Sequence, residues 1–135
     1  MKFGLVEVER FPSVIEPGSL YWSREFKMCA HRCACGCGDV IQLPVDELNY
    51  RIVERDSGVT LRPSVGNWGV CDAHYLITGG EVEWARKWSP EEIAIARAME
   101  DARREAHFGP VPQRARRLRD LLARALGLLR KWFRH

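Results

Sequence analysis

The densest group of reactive side chains lies in residues 31–38, which read His-Arg-Cys-Ala-Cys-Gly-Cys-Gly. Thiolates and imidazoles are the ligands that zinc prefers, and a tetrahedral zinc site often takes two ligand groups from distant parts of the chain. The interleaved glycines let the backbone turn tightly enough for neighbouring sulfur atoms to meet at one ion. The sequence offers more ligands than the roughly four positions of such a site. The candidates are Cys29, His31, Cys33, Cys35, Cys37, Cys71 and His74.

Other interpretations of the cysteines explain less of the sequence. Five cysteines are an odd number, and three of them alternate too closely to pair with one another as disulfides. Simple packing of small apolar thiols gives no reason for the alternation with glycine. The order C-x-H at residues 29–31 and C-x-x-H at residues 71–74 is that of a Rieske iron–sulfur centre, but it leaves residues 33–37 without a role. Apart from this ligand order, no familiar iron–sulfur spacing is present, so the sequence favours zinc.

A serine lies between the two ligand groups, in residues 62–68, which read Arg-Pro-Ser-Val-Gly-Asn-Trp. We interpret this segment as rich in turns and expect it to present the Ser64 hydroxyl on a constrained loop. A serine acts as a nucleophile when a base lies within hydrogen-bonding reach and donors face the oxyanion. His74 or His31, whichever does not bind metal, is the candidate base. The candidate donors are the Asn67 side chain and the Gly66 amide. An alternative stays open, in which the segment is only a hydrogen-bonded turn beside a core tryptophan.

The elements that must position these groups are short strands followed by helices. Residues 2–85 contain short runs of strand-forming residues separated by proline and glycine, a pattern typical of antiparallel β-structure. We expect strands at 3–8, 18–22, 40–43, 50–54, 74–77 and 81–84, with the last two joined by a hairpin at Gly79 and Gly80. The predicted fold is mainly β: a small zinc-stabilised antiparallel domain over residues 1–88, with a C-terminal α-helical extension over residues 89–135.

The extension begins with a helix-capping sequence and ends in a basic segment. Ser-Pro-Glu-Glu at residues 89–92 predicts the start of a helix over 90–106, and a second, amphipathic helix follows over 113–133. Residues 111–135 carry a net charge of +7, which leaves −4 for the preceding residues. The second helix either packs on the β domain or another copy, or contacts an anionic membrane surface or an acidic partner; nucleic acid is less favoured.

The chain shows no signal for export or membrane insertion. No uninterrupted apolar run approaches the roughly 20 residues that span a bilayer, and the acidic residues that soon follow Met1 are unlike a secretory signal. An apolar fraction of 46% with five tryptophans is typical of a folded chain and not of a disordered one. We therefore expect a folded protein in the cytoplasm.

Three motifs, taken together, resemble a known family. They are H-x-C-x-C-G-C-G at residues 31–38, P-S-V-G-N-W at residues 63–68 and C-x-x-H-Y at residues 71–75. In this order they resemble the bacterial family catalogued as domain of unknown function six-five-two-seven, over roughly residues 18–84. Members are encoded beside ubiquitin-like proteins and E1-like and E2-like enzymes. The resemblance implies a zinc-containing peptidase that processes or removes the ubiquitin-like protein, with that protein and those enzymes as partners.

The candidate residues divide into three roles. We predict catalysis by Ser64 and His74 and substrate contacts at Asn67 and Trp68. The predicted metal ligands are His31, Cys33, Cys35, Cys37 and Cys71. Two mechanisms stay open: a structural zinc on the four cysteines beside a serine nucleophile, or a catalytic zinc that activates water with Asp39 or Asp72 as the base. The competing function is a non-catalytic zinc module that binds the conjugation machinery.

Overall fold

The computed structural model describes residues 1–110 and 113–132, and within the second range it describes the side chains of residues 117–127. Contacts within the chain divide it into two compact units, Met1–Ile95 and Ala96–His135. The first unit contains all the candidate site residues. The predicted domain boundary after residue 88 stays a prediction.

Residues 1–110 form eight strands and one helix, and residues 113–132 form a second helix. The strands are β1 (Gly4–Glu7), β2 (Ser19–Ser23), β3 (Met28–Arg32), β4 (Val40–Pro44), β5 (Arg51–Arg55), β6 (Gly58–Gly66), β7 (His74–Thr78) and β8 (Glu81–Trp84). The helices are α1 (Pro90–Phe108) and α2 (Gln113–Trp132). The predicted mainly β fold with a helical extension is confirmed.

The strands form two four-stranded sheets, each in chain order: β1-β2-β3-β4 and β5-β6-β7-β8. The neighbouring strands run antiparallel, as predicted, except for β1 and β2, which run parallel. Residues 8–18 provide the crossover that a parallel pair requires. The predicted hairpin between β7 and β8 is confirmed. Its turn has φ of 55° at Gly79 and 82° at Gly80, and a two-residue turn of this kind needs positive φ at both positions.

The two sheets share one hydrophobic core. Leu61 of β6 and Ile77 of β7 face each other across the ladder and are fully buried. Leu20 and Ile41 of the first sheet belong to the same buried cluster, together with Tyr75 of β7. Residues two apart on a strand point to the same face of the sheet. Burial of one set of residues on β6 and β7 therefore directs the alternate residues to the opposite face. The core therefore anchors the two strands that carry the candidate serine and histidine.

The sequence prediction omits two strands. β3 lies in the segment that we treated only as a source of metal ligands, and β6 covers the segment that we interpreted as a turn-rich loop. The loop assignment of Ser64 is wrong, because Ser64 lies on β6. Pro63 lacks a backbone N–H and suggested a break, but it sits where β6 departs from its regular pairing with β7.

The helical unit exposes its apolar residues. α1 has no buried residue, and the described leucines of α2, namely Leu118, Leu121, Leu122 and Leu126, are 57–62% exposed. The predicted apolar stripe of α2 is thus present and uncovered over the residues described. Among those residues, neither helix has the combination of length and apolar character that crossing a membrane requires.

Candidate active site and metal centre

Ser64 lies in a bulge of β6. Leu61 pairs with Ile77, and Val65 pairs with Tyr75, so four steps along β6 cover the same interval as two steps along β7. Extra residues in one strand bend it and redirect its side chains, and such bulges are common beside active sites. The bulge leaves the Ser64 side chain half-buried at the surface of the sheet.

Two side chains hold the bulge in place. The Arg62 guanidinium donates to the carbonyl oxygens of Leu61 and Ile77 at 3.0 and 2.9 Å, and it also bonds a threonine hydroxyl of β7 at 2.7 Å. The Tyr50 hydroxyl donates to the Ser64 carbonyl at 3.1 Å. These donors serve carbonyl groups at the point where the ladder is irregular. The bulge is therefore held at the Ser64 carbonyl and, three residues earlier, at the Leu61 carbonyl.

His74 contacts Ser64 directly. Its Nε2 lies 2.8 Å from Ser64 Oγ, and its Nδ1 lies 2.7 Å from the carbonyl oxygen of Arg86. A carbonyl oxygen can only accept a hydrogen bond, so Nδ1 carries a proton, and in the neutral ring Nε2 has the free lone pair. The Ser64 hydroxyl then donates to Nε2. The structure thus brings the two predicted catalytic residues together and orients the histidine to accept the serine proton.

Two tryptophans pack against the His74 ring, which is only 6% exposed. The ring centroids of Trp68 and Trp88 lie 5.2 and 4.9 Å from that of His74, and the two indoles stack on each other at 5.5 Å. Trp68 lies so close over Gly66 that a Cβ atom there would be 2.3 Å from the indole ring. The absence of a side chain at Gly66 therefore allows the indole to cover the strand. A substrate contact at Trp68 stays a prediction.

The loop between β3 and β4 carries three of the cysteines. It is closed by a hydrogen bond from the Cys33 N–H to the Asp39 carbonyl at 2.9 Å. Gly36 and Gly38 have φ of 83° and 87°, a conformation that other residues rarely adopt. The tight loop that the interleaved glycines predict is confirmed.

Four sulfur atoms converge between this loop and the turn before β7. The group consists of Cys33, Cys35, Cys37 and Cys71, whose sulfur atoms lie within 4.8 Å of one another. Cys33 Sγ is 3.4 Å from Cys35 Sγ and 3.6 Å from Cys71 Sγ. Tetrahedral zinc with Zn–S bonds of about 2.3 Å places its sulfur ligands roughly 3.8 Å apart. The spacing of the four thiols therefore fits one tetrahedral metal ion.

The thiols of the cluster differ in their surroundings. Burial raises the pKa of Cys33 to about 12. The backbone N–H of Cys37 lies 3.3 Å from Cys35 Sγ and lowers the pKa of that thiol to about 7. The inner edge of the cluster is thus apolar, and its outer edge is solvated and lined by a backbone donor.

Asn67 links the cysteine cluster to the end of β6 and the start of β7. Its Nδ2 donates to Asp39 Oδ2 at 3.0 Å and to Cys71 Sγ at 3.4 Å, and its backbone N–H donates to the Ala73 carbonyl at 2.9 Å. Both side-chain N–H groups are used in these bonds. The structure places the Asn67 amide on the cysteine cluster and not on Ser64, and its role in substrate or oxyanion binding stays a prediction.

His31 is not part of the four-cysteine group. It is fully buried, its Nε2 lies 2.7 Å from the Tyr75 hydroxyl, and burial lowers its pKa to about 4. Its Nδ1 has no hydrogen-bond partner among the described residues. The Rieske arrangement is not assembled either, because His31 bonds Tyr75 while His74 bonds Ser64.

Four residues of the site belong to no catalytic or metal-binding pattern in the sequence: Tyr50, Arg62, Arg86 and Trp88. Arg86 contributes its backbone carbonyl, which no pattern of side chains reveals. Trp88 immediately precedes the predicted helix cap, a position where an apolar residue often packs against the beginning of its own helix, and this pattern does not reveal its contact with His74.

These contacts are those of a serine hydrolase: a serine hydroxyl on a fixed backbone, a histidine base, and a group that fixes the histidine tautomer. The chain belongs to the BubE family, described as bacterial ubiquitination-like system serine protease, whose model matches residues 7–85. That range contains both predicted catalytic residues and all four clustered cysteines. The predicted class, a peptidase of a bacterial ubiquitin-like system, is confirmed at this level. No curated protein and no solved structure matches the chain.

Proposed function

We propose that this chain is a serine peptidase that cleaves the peptide or isopeptide bond at the C-terminal tail of a bacterial ubiquitin-like protein. The reaction would process the precursor of that protein or release it from its conjugates, beside the E1-like and E2-like enzymes of the same system. The observation that carries the proposal is the 2.8 Å contact between Ser64 Oγ and His74 Nε2. The family of serine proteases to which the chain belongs supports it.

The first half of the reaction follows from the direction of the hydrogen bonds. Ser64 Oγ attacks the carbonyl carbon of the scissile bond while its proton passes to His74 Nε2. The Arg86 carbonyl stabilises the resulting imidazolium through Nδ1–H, a role that an aspartate takes in other serine proteases. The tetrahedral intermediate collapses when Nε2 returns the proton to the leaving amine. The amine departs, and the ubiquitin-like tail stays bound to Ser64 as an ester.

The second half releases the tail by the same route. A water molecule gives its proton to His74 Nε2 and attacks the ester carbonyl, and Nε2 then protonates the Ser64 oxygen as the ester bond breaks. The products are the free enzyme and a ubiquitin-like protein with a free C-terminal carboxylate.

We further propose that the four clustered cysteines hold a structural Zn²⁺ ion. Four thiolate ligands fill a tetrahedral site and leave no open position for water, which is the pattern of structural zinc. The carboxylates considered as bases for a catalytic zinc have other partners: Asp39 accepts from Asn67, and Asp72 accepts from the Gly69 N–H at 3.0 Å. Free thiols such as these are maintained in a reducing cytoplasm, where we place the reaction.

The test uses one covalent probe and one protein substrate. A fluorophosphonate probe reports an activated serine without any knowledge of the natural substrate, and a ubiquitin-like protein with a C-terminal extension reports cleavage. We expect the wild type to be labelled at Ser64 and to cut the extension. Ser64→Ala and His74→Ala should each lower cleavage by roughly 10³-fold or more and leave the metal content unchanged. The control is Ser13→Ala, which alters an exposed serine.

Three outcomes would contradict the proposal. Labelling of a serine other than Ser64 would show that a different serine is the nucleophile. Full cleavage by Ser64→Ala, combined with loss of cleavage on chelation of a still folded protein, would make the metal the catalyst. A wild type that binds the ubiquitin-like protein but cuts neither precursor nor conjugate would be the non-catalytic module.

A further inference from the structure

The carbonyl that orients His74 lies in a segment without regular structure. β8 ends at Trp84 and α1 begins at Pro90, and Arg86 lies between them. Such a segment keeps its position only through the contacts that it makes with its surroundings. One contact is the hydrogen bond from the Ala85 N–H to the His74 carbonyl at 2.9 Å. This bond holds Ala85, the first residue of the segment, and the residues after it depend on other contacts.

The N-terminal cap of α1 provides the second fastening. The Glu92 carboxylate accepts from both terminal nitrogens of Arg86, at 2.9 and 2.6 Å, and from the Ser89 N–H at 2.8 Å. Ser89 Oγ in turn accepts the Glu92 N–H at 3.2 Å, which completes the predicted capping box. One carboxylate thus holds both the first turn of the helix and the residue whose carbonyl meets His74.

The Arg86–Glu92 pair contributes more to geometry than to stability. Its side chains are 70% and 39% exposed, and exposed ion pairs add little to the free energy of folding. A bidentate arginine–carboxylate contact, however, fixes the orientation of both groups. The same segment carries Trp88, whose ring lies against the ring of His74. A shift of this segment would therefore change two contacts of the catalytic base at once.

We propose that Glu92 is a positioning residue, which holds the Arg86 carbonyl against His74 Nδ1 and so maintains the tautomer that accepts the Ser64 proton. Its catalytic consequence rests on the proposed function, whereas the effect on the tautomer does not. The family match ends at residue 85. This part of the site is thus supplied by residues beyond the matched segment: Arg86 near the end of the predicted β domain, and Ser89 and Glu92 at the start of the predicted extension.

The test compares Glu92→Gln with Glu100→Gln. Glu100 forms an ion pair with Arg104 at 2.6 Å on the same helix, so its substitution removes a similar exposed pair with no contact to His74. Nitrogen-15 spectra of histidine distinguish a proton on Nδ1 from one on Nε2. We expect His74 to carry its proton on Nδ1 in the wild type and in Glu100→Gln, and to populate both tautomers in Glu92→Gln.

Kinetics provide the second readout. We expect Glu92→Gln to lower the rate of fluorophosphonate labelling by roughly 10- to 100-fold, because displacements near 1 Å at a catalytic group have effects of this size. In cleavage assays the loss should appear in kcat and not in KM, since the proposal assigns Glu92 to the orientation of His74 and not to substrate binding. Hydrogen bonds from Arg86 lower the pKa of Glu92 to about 2, so the wild-type carboxylate is ionised at the neutral pH of these assays.

A double variant completes the design. Arg86→Met removes the guanidinium but keeps the carbonyl, so it should reproduce the effect of Glu92→Gln. The variant with both substitutions should lose no more of the labelling rate than either single variant. The proposal is overturned if His74 keeps its wild-type tautomer in Glu92→Gln. It is also overturned if the wild type is labelled and Glu92→Gln is labelled at the same rate. If the wild type itself is not labelled, the proposed function fails, and the tautomer spectra still decide the role of Glu92.

Discussion

Replacing Gly66 with alanine tests whether the packing of Trp68 on β6 supports catalysis. Gly66 lies opposite His74 in the ladder, and its missing side chain leaves the space that the indole occupies. A Cβ atom at this position would lie 2.3, 2.4 and 2.6 Å from three atoms of the Trp68 ring. Carbon atoms in ordinary contact lie about 3.5–4.0 Å apart. The indole must therefore move by roughly 1 Å or more, which changes its contacts with Trp88 and His74.

Two magnitudes follow from this displacement. Adding a methyl group to a well-packed site typically costs about 1–3 kcal/mol of stability, and each kcal/mol lowers Tm by roughly 4–8 °C for a domain of this size. A displacement near 1 Å beside the reacting groups lowers the rate by about 100-fold. We therefore expect Gly66→Ala to lose more in catalysis than its modest loss of stability explains at the assay temperature.

The assay measures Tm by calorimetry and the rate of fluorophosphonate labelling of Ser64. Gly4→Ala is the matched control, because it makes the same chemical change on β1, where no atom lies within 4 Å of the new Cβ. The control should match the wild type in both measurements. Wild-type Tm and labelling rate in Gly66→Ala would refute the packing argument, and with it the claim that the tryptophans position His74.

Two further predictions concern the metal and the tail. Purified protein should contain about one zinc per chain, and Cys37→Ser or Cys71→Ser should lose both the metal and the folded state, because structural zinc binding is coupled to folding; elemental analysis that finds iron or no metal would contradict this. Deleting residues 112–135 should leave the zinc content and the β-sheet circular dichroism unchanged while reducing self-association or binding to anionic vesicles. A deletion that unfolds the protein would show that the helix belongs to the core.

The parts of the fold that local chemistry determines could be predicted from the sequence. The hairpin at Gly79 and Gly80 follows from the positive φ that its turn requires, and the capping box from Ser89 to Glu92 follows from side-chain hydrogen bonds within one turn. Both signals lie within a few residues. By contrast, β6 could not be recognised, because Pro63 and the glycine at its end resemble turn residues until the buried partners on β7 are known.

The same distinction applies to the site. Thiol chemistry and spacing predicted the cysteine cluster, and the need of a serine for a base predicted the pairing of Ser64 with His74. The position of His31 could not be predicted from sequence, because nothing in the motif shows that the Tyr75 hydroxyl engages this predicted metal ligand in the core. The Arg86 carbonyl could not be predicted either, since every residue has a carbonyl and only the fold places this one beside His74.

The position of Asn67 connects the cysteine cluster to the serine and histidine. Its amide bonds Cys71 Sγ, its carbonyl accepts the N–H groups of residues 70–72, and its own N–H bonds the residue before His74. The cluster thus fixes the turn that delivers His74 to β7, next to the strand that carries Ser64. Removal of the metal should consequently abolish activity even when the ion takes no part in the chemistry. Loss of activity on chelation therefore identifies a catalytic metal only if the turn stays folded, and a structural metal predicts that folding and Ser64 labelling are lost together.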